Sequence, residues 1–144
     1  MNAIKNMRVV QVDLSCVHIT WPKISSYIAD ALTMGGVGEP LYELPHIQSY
    51  VTSGEWMLLV AIDDQNKIHG AMTLVFQNYP LHRVAFITAV GGEFIITKEM
   101  YDQLTEILKF NGATMIHAYG RPSIVRLLRR HNMKNSSTLV EATL

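Results

Sequence analysis

Cysteine is almost missing from this chain. Cys16 is the only one in 144 residues, so no internal disulfide and no thiolate metal cluster can form, and a reducing compartment is expected. Charge of one sign is missing too. The 12 lysines and arginines are matched by 12 aspartates and glutamates, which leaves no global field to favour nucleic acid or an anionic membrane. No apolar run approaches the roughly 18–20 residues of a membrane span. The opening MNAIKNMRVVQVDLS lacks the apolar stretch of a signal peptide, so the expected location is the cytoplasm. The histidines (His18, His46, His69, His82, His117 and His131) are dispersed, with no i, i+4 pair and no acidic neighbours at ligand spacing, so no metal centre is expected.

What remains is core material. Hydrophobic residues make up 49% of the chain and charged ones only 17%, which is globular composition on a length that suits one compact domain. No repeat, linker or low-complexity stretch interrupts it, and residues 1–144 read as a single domain.

MRVVQVDL alternates as a strand. WPKISSYIADALTMGG sets Ile24, Tyr27, Ile28, Ala31 and Leu32 at helical spacing, with Pro22 suited to a first turn and Gly35-Gly36 to an end. A second, shorter helix is predicted from about Leu44 to Tyr50, closed by Ser53-Gly54. WMLLVAI and KIHGAMTLVFQNY form an antiparallel hairpin across the DDQNK turn, and Pro80 ends it. RVAFITAV is a further strand that runs into Gly91-Gly92. Thr97 is a good N-cap for KEMYDQLTEILKF, whose Met100, Leu104, Ile107 and Leu108 make one apolar stripe, and Asn111-Gly112 ends that helix. ATMIHAY, a short helix in PSIVRLLRRH and a terminal strand STLVEATL complete the order β-α-α-β-β-β-α-β-α-β. The expected class is α/β (α+β): a mixed, mostly antiparallel sheet of about six strands, helices on both faces, and a parallel crossover from RVAFITAV to ATMIHAY.

This order resembles the GNAT (general N-acetyltransferase) superfamily over nearly the whole chain. SGEWMLLVAIDD, the NYPLHR break, FITAVGG and GRPSIVRLLRRHNMK before a final strand look closest to the small GNAT-like proteins encoded among tailed-bacteriophage virion genes. The resemblance implies acetyl-CoA or CoA in a V-shaped opening between the fourth and fifth strands, with its pyrophosphate on the N-terminus of the following helix. The positions it implies for that ligand are Ala89, Val90, Gly91, Gly92, Thr97 and Lys98.

The chain departs from the superfamily where the chemistry is. The superfamily loop reads Gln/Arg-x-x-Gly-x-Gly/Ala directly at the helix start, where glycines let backbone N–H groups reach phosphate. Here the glycines come early, and Glu93, Phe94, Ile95 and Ile96 fill the space before Thr97. The tyrosine that often protonates the CoA thiolate falls at Leu128, and the usual Gly-Phe is Asn132-Met133. Gly91-Gly92 therefore has two readings, a phosphate or pantetheine cradle and a bulge-and-turn that redirects the chain.

Among the other candidates, His117 and Tyr119 share one strand face and fit a general base and a general acid; Glu93 is a second candidate base. Half-buried or solvated side chains with local partners are the bland counterparts. Arg126, Arg129 and Arg130 share a helical face without acidic neighbours, which suits a phosphate, an acidic partner surface, or a solvated helix end. Two function classes follow. One is a non-catalytic, virion-associated or protein-interaction module with an eroded acetyl-CoA site, binding a virion component or itself. The other is an active acetyl-CoA-dependent N-acyltransferase acting on an amine of a protein or small molecule. Zero net charge and the lack of interleaved aromatics argue against nucleic acid.

Overall fold

The computed structural model describes residues 6–35, 40–94, 97–119 and 128–144. Five strands form one sheet in chain order: β1 (Arg8–Gln11), β2 (Met57–Ile62), β3 (Ile68–Asn78), β4 (Arg83–Gly92) and β5 (Met115–Ala118). β1 to β4 pair antiparallel, and only β4 and β5 are parallel. A parallel step needs a crossover, which α3 (Lys98–Phe110) supplies.

Helices cover both faces, as expected. α1 (Val17–Gly35) and α2 (Leu44–Ser53) bury Trp21, Ile24, Ile28, Ile47 and Val51 against Leu58, Val60 and Ala71. α3 buries Met100, Leu104 and Leu108 against Leu59, Met72, Leu74 and Ile87 on the other side. Caps fall where the sequence places them: Thr97 Oγ1 accepts the Met100 N–H at 3.1 Å, and Gly54 closes α2 at φ +85°. The hairpin turn is organised by Asp63, whose Oδ1 accepts the N–H groups of Gln65 and Lys67.

Two expectations need correction. α1 starts at Val17, so Pro22 lies inside the helix and not in its first turn. A 3₁₀ turn, Leu14–Cys16, capped by Asp13 leads straight into it, and Val17 and Trp21 are buried on the Ile24–Ile28 face. An interior proline costs roughly 3 kcal/mol. Burying those two side chains returns about 1.5–3 kcal/mol each, which is enough to carry the helix past it. The second correction is STLVEATL, which forms no strand. Strand propensity acts only through a paired strand, and among the described residues no strand pairs with it; Leu139 and Val140 are exposed instead. Among the described residues the sheet thus has five strands where about six were expected. The helix expected in PSIVRLLRRH lies mostly outside the described residues.

One irregularity positions everything that follows. Thr73 pairs with Ala89 but Leu74 pairs with Ile87, so Thr88 is an extra residue in β4. Such a bulge bends its strand. It also changes the parity of the facing: Ala85 and Ile87 join the α3 core before it, Val90 joins that core after it, and Ala89 turns to the α1–α2 side. The Thr88 hydroxyl meets that of fully buried Thr73 at 2.8 Å.

Candidate cofactor and acceptor site

β4 and β5 pair from Val84↔Met115 to Ile87↔Ala118 and no further. Beyond the bulge, Ala89 to Gly92 have only β3 as a strand partner among the described residues. Ala89 is buried in the α1–α2 core and Val90 packs on the α3 core, so what this stretch could offer a thioester carbonyl is its backbone N–H groups.

Gly91 and Gly92 follow, and their lack of side chains is used by the fold. A Cβ on Gly91 would stand 2.0 Å from the Tyr27 carbonyl oxygen, and one on Gly92 would stand 2.5 Å from the His69 carbonyl oxygen and 2.7 Å from the Tyr27 ring. Gly92 has φ +72°, which a side chain would also strain. The pair lets the α1 backbone settle against the sheet, and the Tyr27 hydroxyl donates to the Ile68 carbonyl from the same position. The bulge itself lies at Thr88, three residues before Gly91.

Glu93 leaves the strand beside His69. The imidazole Nε2 is 2.8 Å from Asp63 Oδ2 and Nδ1 is 3.6 Å from Glu93 Oε1, so one histidine bridges two carboxylates from different loops. The His69 hydrogen bond, then the Lys67 amide, hold the Asp63 carboxyl down at about 2. Sequence reasoning missed this cluster. The signal was an aspartate opening a tight turn and a histidine just after it, which brings them together only if the turn closes.

The N-terminus of α3 is already supplied with oxygen. Thr97 caps it, Glu99 lies in its first turn, and Lys98 is turned back along the helix to Asp102 at 3.0 Å. An incoming pyrophosphate would meet the Thr97 cap and the Glu99 carboxylate, with Lys98 held by Asp102.

His117 on β5 and Tyr119 just past its end are both exposed, and Tyr119 packs edge-on against Phe86 with ring centroids 5.2 Å apart. They line a cavity of about 430 Å³ with Phe86, Leu128 and Leu139. Leu128 sits on its wall with no proton to give. His117 pairs with Phe86 in register, seven residues before Glu93 on β4. At about 3.3 Å per residue that is on the order of 20 Å, so the two candidate bases belong to different ends of the strand. Arg129 and Arg130 are exposed beyond the cavity, and Arg126 lies outside the described residues.

No protein-family model matches the chain, and no curated protein sequence does. Solved structures do. A probable acetyltransferase superposes with a TM-score of 0.66 at 13% identity, covering 95% of this chain and 96% of that one. A predicted acetyltransferase from Clostridium acetobutylicum, solved with acetyl-CoA, gives 0.65 at 15% identity over 95% and 96%. The aminoglycoside acetyltransferase meta-AAC0020 from an uncultured soil metagenomic sample, in complex with trehalose, gives 0.66 at 14% identity over 99% of both chains. The fold is that of the GNAT acetyltransferases.

Proposed function

We propose that this chain is a GNAT-fold binding module whose acetyl-CoA site has been given over to structure, and that it works through protein contacts, as a virion component would. The observation that carries this reading is the use of Gly91 and Gly92: the space their absent side chains leave is filled by the Tyr27 and His69 backbones. A capped helix N-terminus with Glu99 in its first turn, and Leu128 in the cavity wall, support it. Exposed Arg129 and Arg130 offer an acidic partner a planar, charged grip. Calorimetric titration with CoA and acetyl-CoA tests the reading. No heat up to millimolar ligand is expected, and micromolar binding would overturn it.

A second reading, an active N-acyltransferase, draws on the parting of β4 from β5 and on His117 in the cavity. The unpaired β4 amides would align a thioester carbonyl, and His117 would take a proton from an amine held against Tyr119. CoA binding, with acyl transfer lost in His117→Ala, would favour it.

A further inference from the structure

Two neighbouring turns at one end of the sheet hold large apolar side chains out in solvent. Leu81, between β3 and β4, is 89% exposed, and Phe110, at the end of α3, is 92% exposed. The turns are stitched together by polar groups. Arg83 Nε donates to the Asn111 carbonyl at 3.0 Å and Nη1 to Asn78 Oδ1 at 2.8 Å, while the guanidinium lies 4.4 Å over the Phe76 ring. The Thr114 N–H donates to the Arg83 carbonyl, and the Thr114 hydroxyl is 2.9 Å from His82 Nδ1. Leu81 and Phe110 add nothing to this framework, yet it fixes them at the same end of the molecule. Exposed apolar groups gathered on a rigid frame are a mark of a contact surface.

The groove beside them carries charge of one sign. A cavity of about 400 Å³ opens between α3, the start of β5 and residues 132–136. Leu108, Met115 and Met133 give it apolar walls, and Lys109 and Lys134 line it with exposed ammonium groups. No carboxylate lines it, and the sequence shows why. Residues 65–92 and 107–140, which supply the β3–β4 turn, β5 and the far wall, contain no aspartate or glutamate; the first one back along α3 is Glu106, a full turn before Phe110. Asp63, Asp64, Glu93 and Glu99 sit at the opposite end, in the β2–β3 turn and about the N-terminus of α3. Zero net charge therefore conceals a chain with a cationic end and an acidic one.

We infer that the cationic end is a docking surface for an acidic, apolar segment of a partner protein. Apolar side chains of the segment lie on Leu81 and Phe110 and in the groove, and its carboxylates meet Lys109 and Lys134. A nucleic acid would match the charge but has nothing to place against the aliphatic walls. The inference rests on the binding-module reading and deepens it, giving the partner's chemistry and the surface that receives it.

The test is fluorescence anisotropy of a labelled ten-residue peptide of alternating glutamate and leucine, titrated with the full chain. A glutamate–serine peptide, a lysine–leucine peptide and a ten-nucleotide single-stranded RNA serve as comparisons. The glutamate–leucine peptide should bind with a Kd of about 10–100 μM, about tenfold or more tighter than each comparison. Phe110→Ser and Lys109→Glu should each weaken it about tenfold. Both side chains stand in solvent, so the fold should survive, as circular dichroism would report. Lys23→Glu, on exposed α1 surface, should change nothing. On the wild type, peptide-induced methyl NMR shifts should concentrate at Leu81, Met115 and Met133. No binding below millimolar, equal or tighter binding of the glutamate–serine peptide or the RNA, shifts centred elsewhere, or variants that bind like the wild type would each overturn the inference. The CoA titration fails or succeeds independently: CoA binding beside an intact peptide site would remove the module reading and leave the docking surface standing.

Discussion

Gly91→Ala isolates what the glycine pair is for. The added methyl would lie 2.0 Å from the Tyr27 carbonyl oxygen, 2.8 Å from its carbon and 3.3 Å from its Cα. All three are backbone atoms, so no rotamer change relieves the clash, and α1 must retreat by roughly 1 Å or more to reach ordinary contact. Overpacking costs typically 1–3 kcal/mol, and a collision with backbone belongs at the upper end. Unfolding entropy near 2.1 cal/mol/K per residue gives about 0.3 kcal/mol/K for a chain of this length. A cost of about 3 kcal/mol then lowers Tm by about 10 °C. Gly112→Ala is the matched control. Its methyl would meet nothing closer than Arg83 Cδ at 3.6 Å, so only the backbone strain of φ +86° is charged against it. That strain is about 1 kcal/mol, or about 3 °C. Scanning calorimetry of the two variants and the wild type reads both numbers. Gly91→Ala melting within about 2 °C of wild type, or above Gly112→Ala, would refute the packing role and return the glycines to a ligand.

Other expectations are smaller. Thr97→Ala removes the α3 cap and should cost about 1 kcal/mol, seen as a Tm lower by about 3 °C; an unchanged melting point would mean that water caps the helix equally well. Asp63 sits at about 2 in the fold against an ordinary 3.8, so it binds fewer protons folded than unfolded, and its stabilisation is complete above about pH 4 and fades as pH falls through about 2. The Tm gap between wild type and Asp63→Asn should hold steady near neutrality and close over that window; a gap independent of pH would show that the His69 contact is incidental. Thr73→Val leaves the Thr88 hydroxyl without its partner in the core and should cost about 1–2 kcal/mol by chemical denaturation, an unchanged midpoint being the contrary result.

Much of the fold is legible because the local signals agree with the tertiary outcome. Thr97, Gly54 and the Asp63 turn each satisfy backbone groups within a few residues, so sequence alone locates them. Pro22 misleads because its local cost is outweighed by Val17 and Trp21, whose burial depends on a sheet formed later in the chain. STLVEATL misleads for the opposite reason: its propensity is real, but a strand exists only with a partner. At the site, the glycines were conspicuous, while their use was not. Gly91 meets a carbonyl sixty-four positions away, and nothing in AVGG names Tyr27. His69 reads in sequence as one dispersed histidine among several, because Asp63 and Glu93 approach it from either side only after the hairpin and β4 are in register.

The extra residue in β4 also bears on how such a site is gained or lost. Excising Thr88 would leave Leu74 opposite Ile87 and Thr73 opposite Ala89, with every other pair and every facing unchanged. The apolar facings would be kept, at the cost of the hydroxyl that fully buried Thr73 meets, and the bend would go. The bend is therefore encoded by a count and not by a side chain. Substitution scanning along β4 would pass over it, whereas a one-codon deletion would remove it in a single evolutionary step and a one-codon insertion would restore it.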